Sequence, residues 1–373
     1  MKDKIRKAER IVVKIGSALL TDIDSGVLKT TWLHSLCRAV SQYPDKQWLI
    51  VSSGAVALGR SSLPIKDDSS SADLTLEQKQ AAASIGQVIL ARSFADAFDQ
   101  CDRTSAQILL SLGDTEDRRS HLNARATLDT LIDSNIIPVI NENDTVATEE
   151  IRFGDNDRLA ARVAQMVGAD LLILFSTTDG LYTKNPDNFD DAQHIDHIDS
   201  ITAEIETFAD KPTSRISTGG MISKIDAAKI ATNAGCAVII ADGRMDDPLH
   251  NQSRTSFFAA RDNPRNARKK WIQAHLKPQG EIVIDNGAVT ALRNGKSLLP
   301  IGVTSVSGDF RRGDLVLIKD QDNRLIARGL IAYDKHHALK IAGVQSNSIA
   351  DMIGFEGRKE LVHRDDLVLD SLA

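Results

Sequence analysis

No run of this 373-residue chain approaches the ~18 uncharged apolar residues of a membrane-crossing helix, so a membrane-spanning protein is excluded. Cysteine is scarce. Cys37, Cys101 and Cys236 lie far apart without CxxC spacing, which excludes a disulfide scaffold and a cysteine-rich zinc site. They read as small buried hydrophobes in a reducing cytoplasm. No secretory leader is legible, because the charged Met1–Lys7 segment runs straight into a strand-like Ile11-Val12-Val13. A cytoplasmic location is expected. Basic excess is missing too: 45 Lys and Arg stand against 51 Asp and Glu, a formal net charge of −6. That balance argues against wholesale nucleic-acid binding. There is no Walker loop, since Gly295-Lys296-Ser297 resembles its tail but Thr290 stands where its first glycine belongs. No Ser-His-Asp arrangement is legible. His194, His197, His336 and His337 lack further ligand spacing, so no resident metal site is expected.

What is present is alternation. Over residues 1–260, short β-rich runs (Ile11–Ile15, Trp48–Val51, Ile136–Ile140, Leu171–Phe175, Ala237–Ala241) alternate with helical patterns such as Leu76–Phe98, Arg158–Val167 and Lys224–Ala234. The pattern predicts an α/β domain: an open, mostly parallel sheet sandwiched by helices. From about Pro278 the texture changes. Strand-like Glu281–Asp285, Asp314–Lys319 and Ala327–Ala332 are separated by turn clusters at Asp285-Asn286-Gly287, Ser307-Gly308-Asp309 and Asp320–Asn323, which predicts a small β-rich module over 278–373. Between them, 261–277 begins with five basic residues against one acid over 261–270 and reads as a basic linker.

Chemistry gathers where strands end. The first strand closes in Val13-Lys14-Ile15-Gly16-Ser17, a cation, a glycine and a hydroxyl suited to a phosphate. The second closes in Val51-Ser52-Ser53-Gly54-Ala55, which either presents amides and a hydroxyl to an anion or packs the next helix tightly. Asn141-Glu142-Asn143-Asp144 follows the strand Pro138-Val139-Ile140, and Gly154-Asp155-Asn156-Asp157 follows soon after. Such acid and amide clusters suit an ammonium group or Mg²⁺, and equally suit turns that cap the helix at Arg158. Thr218-Gly219-Gly220-Met221-Ile222-Ser223-Lys224 then opens a helix with free N–H groups and a second cation. Together these parts point to phosphoryl transfer without a P-loop, with two lysines neutralising the moving charge and Asp157 holding them in register.

In order and spacing, these motifs resemble the amino acid kinase family almost from end to end. Leu122-Asn123-Ala124-Arg125 and Gly180-Leu181-Tyr182-Thr183 extend the match. The branch most similar phosphorylates the side-chain carboxylate of L-glutamate at the start of proline biosynthesis. The resemblance implies ATP as co-substrate with Mg²⁺, and Lys14, Lys224 and Asp157 as the catalytic group. It implies Ser53, Gly54, Asp144, Asp155 and Asn156 at glutamate. Lys14, Gly16, Ser176, Thr177, Thr218, Gly219, Gly220, Met221, Ile222, Ser223 and Lys224 would then line the nucleotide. Relatives carry Thr-Asp where this chain has Ser176-Thr177, with Asp179 two residues on, and Ala18 replaces a more usual serine. A homo-oligomer and feedback by proline are further implications. The C-terminal module resembles a PUA domain, a small β-barrel, through Asp285-Asn286-Gly287-Ala288, Ser297–Val303 and Gly308–Asp314. RNA binding is not expected of it, because 278–373 mixes charges of both signs and holds only Phe310, Tyr333 and Phe355 as aromatics. Kinases of the same fold acting on aspartate, acetylglutamate or uridylate are the rival expectation, and the Asn141–Asp144 loop with the appended module favours glutamate.

Overall fold

The computed structural model describes residues 1–22, 26–64, 74–146, 156–209, 220–264, 266–267, 269, 272 and 277–370. The chain divides into two compact units, Met1–Pro264 and Arg265–Ala373. Among the described residues no helix is long and apolar enough to cross a membrane.

The first unit carries strands β1 (Arg10–Lys14), β2 (Gln47–Val51), β3 (Ser105–Leu110), β4 (Ile137–Glu142) and β5 (Leu171–Ser176). After a short antiparallel ribbon of β6 (Leu181–Tyr182) and β7 (His194–Ile195) come β8 (His197–Ile198), β9 (Ala237–Asp242) and β10 (Thr255–Phe258). The main sheet has the order β3-β4-β2-β1-β5-β9-β10-β8, and only the β9–β10 pairing is antiparallel. Strand β1 sits at the point where the chain's progress across the sheet reverses. In open α/β sheets that is where ligands collect, beyond the carboxyl ends of the strands.

The helices of this unit are α1 (Lys2–Lys7), α2 (Ser17–Leu20), α3 (Thr30–Ser41), α4 (Ala55–Arg60), α5 (Leu76–Asp99), α6 (Leu112–Glu116), α7 (Arg118–Asp133), α8 (Asn156–Val167), α9 (Ala203–Thr207) and α10 (Met221–Asn233). They cover both faces, which is why the central strands read as unbroken apolar runs. Successive β1 side chains point to opposite faces. Ile11 and Val13 enter one core with Leu33, Leu36, Phe94 and Phe98 of α3 and α5, while Val12 enters another with residues of α8 and α10.

The second unit is a mixed five-stranded sheet, ordered β12-β11-β13-β14-β15, of β11 (Gly280–Ile284), β12 (Val303–Gly308), β13 (Leu315–Lys319), β14 (Leu325–Ile331) and β15 (Val362–Leu369). It has its own apolar core, built from residues such as Ile282, Val316, Ile326 and Leu367. The expected turn at Asp285-Asn286-Gly287 is instead a helix start. Asp285 caps the helix Asn286–Arg293 by accepting from the Ala288 amide at 2.7 Å. Asx residues serve both purposes, and the apolar Val289 and Leu292 that follow decide between them.

Candidate active site

Lys14 is the last residue of β1, paired with Val51 of β2 and Leu174 of β5, which places it at the carboxyl edge of the sheet. Asp157 lies in the first turn of α8 and Lys224 in the first turn of α10. All three converge. Lys14 Nζ is 2.6 Å from Asp157 Oδ1 and Lys224 Nζ is 3.0 Å from Asp157 Oδ2, with Asp157 fully buried and both lysines nearly so. The Ser223 hydroxyl donates to the same Oδ2 at 2.8 Å. One carboxylate thus holds two ammoniums, and the cluster keeps a surplus positive charge directed at whatever anion binds there.

Burial sets the electrostatics. It would raise the Asp157 carboxyl, but the Lys14 and Lys224 ammoniums and the Ser223 and Lys14 hydrogen bonds override it and hold Asp157 well below the usual carboxylate range. Burial pulls the Lys14 ammonium down, Asp157 partly restores it, and the Lys224 charge lowers it further. A β-carbon at Gly16 would stand 3.6 Å from Lys14 Nζ, so glycine keeps that side of the ammonium open.

Next to Asp157 in sequence begins a second polar network. Asn156 precedes Asp157 on α8, and the ~100° step between helical neighbours sends the two side chains to different partners. Asn156 Nδ2 donates to the Ser52 carbonyl at 2.9 Å, to Ser53 Oγ at 2.5 Å and to Asn141 Oδ1 at 3.2 Å. Gly54 follows in the left-handed region with φ +101°, which glycine adopts without strain, and it turns the chain into α4. Asp144 is half-buried just beyond β4, and burial pushes its carboxyl up to about 6. Among the described residues no hydrogen-bond donor reaches its carboxylate.

Residues 9–242 match the amino acid kinase family, and residues 280–353 match the PUA domain. The chain belongs to the amino acid kinase family. It is 53% identical over 365 residues to a glutamate 5-kinase of Rhizobium rhizogenes, covering 96% of this chain and 92% of that one. It is 52% identical over 375 residues to glutamate 5-kinase 1 of Rhizobium meliloti, covering 98% and 94%. It is 50% identical over 374 residues to a glutamate 5-kinase of Brucella ovis, covering 99% and 98%.

In this amino acid kinase, the sequence-predicted Lys14, Asp157, Ser223 and Lys224 meet directly, as do Ser53 and Asn156. Ser176 ends β5 and Thr177 is exposed beyond it, with the Ser176 and Thr178 hydroxyls 3.3 Å apart. Helix α10 begins at Met221, not at Lys224, so Gly220 caps it and Ile222 faces outward. Asp155, Thr218 and Gly219 lie outside the described residues. Sequence reasoning missed Asn141 as an internal bridge: it is buried, and only its place at the end of a fully buried strand hinted at that.

Proposed function

We propose that this chain transfers the γ-phosphoryl group of ATP to the side-chain carboxylate of L-glutamate, giving glutamyl 5-phosphate and ADP at the start of proline biosynthesis. The observation that carries the reading is the buried Lys14–Asp157–Lys224 cluster, in a chain half identical to glutamate 5-kinases over nearly its whole length. A carboxylate oxygen of glutamate attacks the γ-phosphorus while the bond to the β–γ bridging oxygen breaks. The acceptor is already ionised at neutral pH, so the step needs no general base. Asp157 suits that requirement, because two ammoniums keep it ionised and unavailable for protons. Its task is to aim Lys14 and Lys224 at the charge that spreads over the phosphoryl oxygens in transit.

Asp144 and Asn156 take the glutamate ammonium, and the Ser53–Gly54 turn lies alongside. The loop leading into α10, with Ser176 and Thr177, takes the nucleotide. Both Asp157 oxygens are committed to cations, which makes it unsuited to ligate a metal. Magnesium therefore belongs to this reading as the ion carried on the phosphates of ATP. The reading also includes a cytoplasmic homo-oligomer and feedback by proline, whose carboxylate and ammonium chemistry overlaps that of glutamate. ADP formation across glutamate, aspartate, N-acetylglutamate and UMP tests the assignment. Glutamate should be preferred by at least an order of magnitude; faster turnover with any other acceptor would refute it.

A further inference from the structure

Asn156 can serve an ammonium only if its carbonyl oxygen, and not its NH₂ group, is left for the ligand. An amide side chain alone does not choose between the two. Two backbone groups set the donor sense here, and Gln87 anchors its far end. The Ser52 carbonyl can only accept, so the Asn156 nitrogen must face it. The Glu142 amide can only donate, and it reaches Asn141 Oδ1 at 2.9 Å. Asn141 Oδ1 therefore also accepts from Asn156 at 3.2 Å, and its own nitrogen points the other way. There it meets Gln87 Oε1 of α5 at 2.7 Å. From Asn156 of α8 through Asn141 to Gln87 of α5 each residue thus donates to the next, and Asn156 donates to Ser53 as well. Three acceptors surround the Asn156 nitrogen, while no donor among the described residues reaches its Oδ1.

We infer that Gln87 is a positioning residue for the amino-acid pocket: through Asn141 it locks the Asn156 amide with its carbonyl oxygen presented to the substrate ammonium. The inference rests on the glutamate kinase reading. Among the described residues Gln87 hydrogen-bonds Asn141 and no member of the lysine cluster or nucleotide set, so its influence falls on one end of one substrate. It is also well placed to be rigid. The preceding Gly86 packs against α4 so closely that a β-carbon there would fall 1.8 Å from the Ala55 carbonyl oxygen.

The test measures KM for glutamate and ATP, and Ki for glutarate, which keeps both carboxylates but has no ammonium. Full-length wild type, Gln87→Met and Gln87→Glu are compared. Gln87→Met, without an acceptor, should raise glutamate KM about 3- to 10-fold, the size expected for weakening one hydrogen bond to a charged group. Glutarate Ki and ATP KM should stay within about twofold, since neither ligand uses the Asn156 carbonyl. Gln87→Glu retains an acceptor oxygen and should keep glutamate KM within about threefold of wild type. KM and Ki report on folded molecules only. If Gln87→Met yields no folded protein, Gln87→Asn, one methylene too short to reach Asn141, carries the same expectations. Parallel changes in glutamate KM and glutarate Ki, or an unchanged glutamate KM, would overturn the role of Gln87. A wild-type enzyme inactive on glutamate would instead overturn the functional reading, so the two failures are distinct.

Discussion

Asp144 and Asp157 are carboxylates beyond the same edge of one sheet, and their surroundings drive them in opposite directions. Asp157 is depressed, so its contribution to stability is complete above the ordinary carboxylate range and lost only as pH falls through its low folded value. Asp157 is therefore ionised across the neutral range. Asp144 is raised from 3.8 to about 6, so its contribution is complete below the unfolded value and lost as pH rises through about 6. A bound ammonium reverses that preference, because it favours the ionised form. The kcat/KM for glutamate should accordingly fall about tenfold per pH unit below about 6, while kcat/KM for ATP at saturating glutamate falls much less. Asp144→Asn should abolish that limb and raise glutamate KM about 5- to 30-fold at neutral pH, the difference between a charge-assisted and a neutral hydrogen bond. Equal shifts in both KM values would remove Asp144 from the pocket.

Helices α4 and α5 cross with their backbones in contact, which glycine alone permits. A β-carbon at Gly59 would lie 1.9 Å from the Ala82 carbonyl oxygen, and one at Gly86 would lie 2.7 Å from the Gly59 nitrogen. Helix α4 carries the Ser53–Gly54 turn at its start and α5 carries Gln87, so this crossing sets the spacing between those two parts of the proposed glutamate site. Gly59→Ala should cost roughly 2–4 kcal/mol in chemical denaturation and raise glutamate KM more than ATP KM. A stable variant with wild-type constants would show that the crossing has slack. At this scale the sequence was only partly legible. Strands β1, β2, β4, β5 and β9 each hold a short apolar run and announce themselves. Strand β3 does not, because it is the sheet edge, and Ser105, Gln107 and the exposed Leu109 blur its pattern. Lys14, Asp157 and Lys224 stood out as a set, two cations and an acid at strand ends and helix starts in the order the family resemblance implies, although an acid at a helix start also serves as a cap. The Gln87–Asn141–Asn156 bridge did not, because its members are separated by 54 and 15 positions and Gln87, inside a long helix, reads as an ordinary polar residue.

Each described member of the candidate site lies in the first of the chain's two compact units. We propose a kinase domain over 1–260, a basic linker over 261–277 and a PUA domain over 278–373. The end of the first unit is firmly seated, since a β-carbon at Gly235 would lie 2.5 Å from the Asn263 carbonyl carbon and 2.6 Å from the Pro264 nitrogen. A chain ending after Pro264 should therefore stay folded and keep its turnover of glutamate within a few-fold. A soluble but inactive truncation would mean that the second unit completes the site or an essential oligomer. In the proposed mechanism two ammoniums held on one buried carboxylate drive transfer to the glutamate side chain. Its most direct measurement is ATP-dependent formation of γ-glutamyl hydroxamate in the presence of hydroxylamine, comparing wild type with Lys224→Ala at saturating substrates. The wild type should form hydroxamate in step with ADP, and the folded variant should be slower by about 10²-fold or more, because a cation aimed at developing charge is gone. ADP without hydroxamate, or a folded Lys224→Ala protein within a few-fold of wild type, would contradict the account.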